Sequence, residues 1–139
     1  YGIRLMESHK IIIRVRYQET DAQGIVHHGN YLTYFEKARI EYLRELGISY
    51  RDVENAGLLL VVAKAELNYF LPAYFDDELE VETKVLSAKG AAILHEYLIT
   101  RGDDVIVRGT TRVGCLTREG RVTRVPKWLG GKGEFKPPA

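Results

Sequence analysis

From Lys10 to Tyr17 apolar and polar residues alternate. Ile11, Ile13, Val15 and Tyr17 share one face and Ile12, Arg14 and Arg16 the other, which predicts a β-strand. From about Asn30 the period changes. Tyr31, Phe35, Ala38, Tyr42 and Leu46, flanked by Leu32 and Leu43, recur at helical spacing, with Asn30 placed to cap the helix and Gly47 to end it. Ser49 to Asn55 reads as a short second helix, because Ser49 and Asp52 have capping-box spacing and Gly57 follows.

Everything later is strand-like. Leu58 to Phe70 is a long, largely apolar run stopped by Pro72, and Leu79, Val81, Thr83 and Val85 alternate with charged residues. Ala91 to Arg101 fits neither period cleanly, but Gly90 before it and Gly102-Asp103-Asp104 after it favour a strand between hairpin turns. Val105, Val107, Thr111, Val113 and Cys115 alternate again, and Glu119-Gly120 turns the chain into 121–125. A strand, one long helix and a series of antiparallel strands predict an α+β layer in which the helix covers the sheet's apolar face. The helix is apolar around much of its circumference, so the sheet is expected to curl around it. One domain over 10–129 is expected, between an extension at 1–9 and a mobile Gly/Pro-rich tail at 130–139. Because the chain opens on Tyr1, Tyr1 to Leu5 reads as a leader ahead of Met6.

Composition narrows the function. The 139 residues are 45% hydrophobic and 28% charged, as in a folded single domain. Twenty Lys and Arg against 19 Asp and Glu leave +1, which excludes a binder that relies on a large basic excess for nucleic acid. Cys115 is the single cysteine, so the chain can build neither an internal disulfide nor a cysteine zinc site, and a cytoplasmic location is expected. No apolar run approaches the roughly 20 residues that span a bilayer, and the start lacks a signal-peptide core.

Several chemistries are missing. There is no GxSxG elbow and no phosphate loop, and Cys115 lies mid-strand, as a buried structural thiol would. The adjacent His27 and His28 have no partner at metal-ligand spacing, so neither a metal nor a cofactor is expected. What stands out is the loop from Tyr17 to Tyr31, YQETDAQGIVHHGNY. Asp21-Ala22-Gln23-Gly24 is ordinary type I turn chemistry. Yet the loop is longer than a strand-to-helix link needs, and it sets an acid, two imidazoles and an amide before a helix whose free N–H groups can stabilise negative charge.

Tyr17, Thr20-Asp21, Gly24-Ile25-Val26, His28 and Tyr31 resemble the signature of the hotdog-fold acyl-CoA thioesterases, above all the 4-hydroxybenzoyl-CoA thioesterase and Tol-Pal-associated YbgC-type branch. The likeness continues through Phe35-Glu36-Lys37-Ala38-Arg39 and returns at 62–64, 69–72 and Asp76-Asp77. It implies a long helix wrapped by a curved antiparallel sheet of about five or six strands. It also implies hydrolysis of a short-chain aliphatic or aromatic acyl-CoA. Asp21 would be the catalytic carboxylate, attacking the thioester or activating water, and the backbone N–H at His28 would hold the oxyanion. The His28 imidazole is implied to be catalytic too, although a histidine satisfied by a neighbour explains the residue equally well. Substrate-binding positions implied are Tyr17, Gly24, Val26, Tyr31 and Lys64. The partners implied are acyl-CoA or an acyl carrier protein, and the assembly a homodimer or homotetramer with sites at its interface.

Glu19 departs from the usual pattern and sets a second acid near Asp21. Glu36 is a rival carboxylate, but Arg39 at i+3 predicts a helix-surface ion pair instead. Lys64, Lys89, Arg118, Arg121, Arg124 and Lys127 are candidate phosphate contacts, and a solvated strand edge explains them as well. Competing readings are a hotdog dehydratase, whose motif is missing, and a non-catalytic module that binds an acyl group or acyl carrier protein.

Overall fold

The alternation in the second half of the chain becomes three long strands linked by tight turns. These are β3 (Glu78–Lys89), β4 (Ala92–Arg101) and β5 (Asp104–Thr117). Gly90 and Gly102 have φ of +61° and +58° in the connecting turns, a region glycine enters without strain. The structure, a computed structural model, describes residues 8–129. The leader and the 130–139 tail therefore lie outside the described residues, apart from Ser8 and His9. β1 (His9–Arg14) pairs antiparallel with β3, and β2 (Leu58–Tyr69) pairs antiparallel with β5, giving the order β1-β3-β4-β5-β2. The ambiguous 91–101 segment is a strand, because its odd positions Ile93, His95, Tyr97 and Ile99 are all buried on one face.

That face carries α1 (Asn30–Glu45). Tyr31, Tyr34, Phe35, Ala38 and Tyr42 are buried beneath the helix, against Ile13, Leu79, Val81, Tyr97, Ile99 and Val107 of the sheet. Phe35 stacks on Tyr97 with ring centroids 4.0 Å apart. A Cβ at Gly109 would lie 2.8 Å from the Phe35 ring, so α1 sits close on β5 because that position has no side chain. α2 (Tyr50–Asn55) keeps the expected capping box, with Asp52 N–H donating to Ser49 Oγ and Ser49 N–H to Asp52 Oδ2. Val53 of α2 joins Leu43, Ile93, Cys115 and Leu129 in a second apolar cluster. Burial pushes the Cys115 thiol up, in keeping with a structural role.

Local readings differ from the structure in three places. β1 stops at Arg14 and the chain enters a 3-10 turn at Tyr17–Glu19, since Val15 donates to Asp77 outside the ladder. Asn30 begins α1 without capping it: Gly29 holds the cap position, and the Asn30 amide donates to the Glu19 carbonyl at 2.7 Å. Segment 121–125 forms only an isolated bridge, Val122 to Leu116.

β2 is a sheet edge of 12 residues, yet it exposes Leu59, Val61, Val62 and Tyr69, with Phe70 and Leu71 just beyond. A free edge presents unpaired backbone groups, which monomers ordinarily protect with charge, proline or a covering element. No helix among the described residues is long and apolar enough to cross a membrane.

Candidate active site

The Asp21 loop is held in place by backbone bonds on three sides. Asp21 N–H donates to Ile25 O and Gly24 N–H to Asp21 O, closing a tight turn in which Gly24 takes φ +82°. Val26 N–H bonds Ala73 O at 2.8 Å, and His27 N–H bonds Glu19 O at 2.9 Å. Isolated bridges from Thr20 to Val26 and from Ile25 to Tyr74 complete the anchoring. The loop is thus tied to the 71–74 segment on one side and to the start of α1 on the other.

Glu19 does the tying from inside. It is buried, and its Oε1 accepts both the Arg16 N–H at 2.8 Å and the Tyr34 hydroxyl at 2.9 Å. Its carbonyl takes the His27 N–H and the Asn30 amide. Burial and the Glu19 carboxylate together push the Tyr34 hydroxyl well above its usual range. Glu19 is therefore turned away from Asp21 and into the core as a clamp. Glu19→Ala would leave the buried Tyr34 hydroxyl and the part-buried Arg16 N–H without their acceptor and should cost about 3 kcal/mol. Urea unfolding checks this; a loss below about 1 kcal/mol would mean water replaces the carboxylate.

Asp21 Oδ1 accepts the Gln23 N–H at 2.8 Å, an Asx turn, and Oδ2 has no partner among the described residues. The backbone N–H of His28 likewise has no acceptor among the described residues, whereas the next two are bonded, Gly29 N–H to His27 Nδ1 and Asn30 N–H to His27 O. Asp21 and His28 border one open cavity of about 530 Å³ with Val26, Tyr31, Tyr69 and Pro72. Tyr31 is buried, with its ring 5.8 Å from that of Tyr69, and burial pushes its hydroxyl up to about 12. It is a neutral wall of the cavity. The His28 ring stacks on His27 at 4.2 Å and is exposed, and the His28 carbonyl accepts the Tyr69 hydroxyl.

The structure thus brings Asp21, Val26, His28 and Tyr31 together, with Gly24 shaping the turn behind them. Tyr17 and Lys64 do not border this cavity. Tyr17 is exposed, edge-on to Phe75 at 5.5 Å, and Lys64 lies opposite Arg112 on the other face of the sheet, paired with Glu66 at 2.9 Å. The strand end Tyr69-Phe70-Leu71 is also part of the cavity, and the only sign of it in the sequence is the cluster of apolar residues just before Pro72. The predicted Glu36–Arg39 ion pair does not form among the described residues. Arg39 leans onto the sheet instead and donates to the Tyr97 hydroxyl at 3.1 Å.

The sequence profile of the thioesterase-like superfamily matches residues 15–132. The chain is 41% identical over 105 residues to the acyl-CoA thioesterase YbgC of Haemophilus influenzae, covering 75% of this chain and 77% of that protein. It is 33% identical over 95 residues to the acyl-CoA thioester hydrolase YbgC of Escherichia coli O157:H7, covering 68% and 71%. The crystal structure of the DHNA-CoA thioesterase from Staphylococcus aureus superposes with a TM-score of 0.84 at 30% identity, covering 91% of this chain and 89% of that one. An edge-ordered antiparallel sheet around one long helix, the Asp21 loop at the helix start and this extent of identity place the chain in the thioesterase-like superfamily, as a hotdog-fold thioester hydrolase of the YbgC type.

Proposed function

We propose that the protein hydrolyses acyl-CoA thioesters in the Asp21 cavity. One observation carries the reading: a single short loop supplies both a carboxylate oxygen and a backbone N–H that have no partner among the described residues, and both residues border the same cavity. Asp21 is half-buried at an open cavity, so Oδ2 is available to a bound molecule. Bound there, the thioester carbonyl would accept the His28 N–H at the start of α1, where the helix dipole favours developing negative charge. Asp21 Oδ2 would either attack the carbonyl carbon or take a proton from the attacking water. Collapse of the tetrahedral species then breaks the C–S bond and releases the thiol, and water supplies the oxygen of the free acid. The exposed His28 imidazole, which borders the same cavity, would protonate the departing thiolate. A carrier-protein thioester presents the same reacting group.

The free, apolar edge of β2 supports assembly with a second copy. The Asp21 cavity is bordered by the far end of this strand, so pairing two β2 edges would wall the cavity with the neighbouring subunit. The test is thiol release from short, long and aromatic acyl-CoAs, run beside light scattering. Hydrolysis of at least one class by a species of two or four times 15.8 kDa is expected. A monomer would remove the assembly, and silence across the whole panel would bring forward the non-catalytic acyl-binding reading.

A further inference from the structure

A second cavity, of about 430 Å³, lies farther along α1 and is not part of the Asp21 site. Its walls are mostly apolar, with Ile40, Leu43, Leu60, Val85, Ile93 and Val113 among them. One patch of the lining is polar: Arg39 from α1 and His95 from β4. The patch is braced from behind. Arg39 donates to Tyr97, whose hydroxyl also shares a 2.6 Å hydrogen bond with Thr111, and the Tyr97 ring is pinned by Phe35.

The charge balance of this patch is unusual. A guanidinium carries five N–H donors in a rigid fork, and Arg39 is half-buried with one of them spent on a neutral hydroxyl. No carboxylate among the described residues pairs with it. Glu36, the one acid in the lining, is exposed and stays outside ion-pair distance. His95 cannot share the charge: burial and the Arg39 guanidinium hold its imidazole down at about 3, so it is neutral, and its buried Nδ1 has no partner among the described residues. A partly desolvated cation beside a neutral imidazole and an apolar chamber is the complement of a chain that ends in an anion.

We propose that this cavity seats the far end of the acyl group and that Arg39 recognises a carboxylate there, which makes monothioesters of dicarboxylic acids the preferred substrates. The inference rests on the thioester-hydrolase reading and names its substrate class. Within one subunit the two cavities share no lining residue. Both, however, are bordered by β2, the Arg39 cavity at Leu60 to Val62 and the Asp21 cavity from Tyr69 onward. Antiparallel pairing of two copies about the middle of β2 sets the Tyr69 end of one beside the Leu58 end of the other. The thioester held by Asp21 in one subunit can then send its acyl chain into the Arg39 cavity of the second.

Two measurements test this separately from the hydrolytic reading. Calorimetric binding of free hexanoate and of hexanol needs no catalysis. Hexanoate should bind at least about tenfold tighter than hexanol, the worth of one hydrogen bond to a charged group, and Arg39→Met should erase the difference. Equal binding of the two probes, or hexanoate binding indifferent to Arg39→Met, overturns the proposal. In turnover, kcat/KM for glutaryl-CoA should exceed that for pentanoyl-CoA, and Arg39→Met should lower that ratio at least about tenfold. Arg39→Lys, which keeps the charge and loses the fork, should lower it less. Parallel losses on both substrates would make Arg39 a structural residue and overturn the assignment, as would a wild-type preference for pentanoyl-CoA. If hexanoate binding depends on Arg39 while no thioester is cleaved, the anion cavity stands and the hydrolytic reading falls. If thioesters are cleaved while the probes bind alike, the reverse holds.

Discussion

Asp21→Asn should lower kcat for thiol release by about 10³-fold, the usual worth of a positioned general base or nucleophile, with little change in KM. The substitution separates structure from chemistry because the proposed mechanism gives the two carboxylate oxygens different tasks. Oδ1 receives the Gln23 N–H and closes the turn, a bond that the asparagine carbonyl oxygen keeps. Oδ2, which faces no partner among the described residues, becomes an amide that can neither attack a carbonyl nor accept a proton. Thermal unfolding of the variant should therefore match the parent while turnover collapses. An equally active variant would move the chemistry to Glu36, which borders the other cavity one helical turn before Arg39.

The second large effect concerns Gly109→Ala, which should destabilise the fold by about 3 kcal/mol, the upper range for forcing one methyl group into a full core. The added Cβ would lie 2.8 Å from the Glu66 carbonyl oxygen of β2 and 2.8 and 2.9 Å from two carbons of the Phe35 ring. Neither neighbour yields cheaply. The carbonyl belongs to the backbone of a paired strand, and the ring is stacked flat on Tyr97. Chemical denaturation reads the loss, and trimming Phe35 as well should not restore stability, because the Glu66 carbonyl remains in the way. A cost below about 1 kcal/mol would show that β5 can shift away from β2 without penalty.

Gly109 also marks how far the sequence could be read. The strand pattern Val105, Val107, Thr111, Val113, Cys115 skips one inward beat, at 109, and the skipped beat is where Phe35 enters. Periodicity reports β1, β3, β5 and the long helix because each has one buried face, whereas β4 is legible only from the turns that flank it. It could not report β2 as an edge, since edge and central strands of similar apolar content look alike until pairing is known. The Asp21 turn was legible because Asp-x-x-Gly has a local cause. Glu19 and Arg39 were not, because their roles depend on contacts with Tyr34 and Tyr97 that are distant in sequence. Spacing rules see only near neighbours, so Arg39 was matched with Glu36 when a hydroxyl on β4 was the partner it reached.

The strand order β1-β3-β4-β5-β2 has a consequence for how the chain is made. β3 pairs with the earlier β1, and β4 and β5 each pair with the strand just completed, so β1 and that meander can assemble as they emerge from the ribosome. β2 emerges before β3, β4 and β5 but pairs only with β5, from Leu58 opposite Thr117 onward. Throughout synthesis of the next three strands, the apolar run Leu58-Leu59-Leu60-Val61-Val62 waits without a ladder. A run of that kind invites pairing with other chains. The strand that stays an open edge in the finished fold is therefore also the one most in need of chaperone protection in the nascent chain.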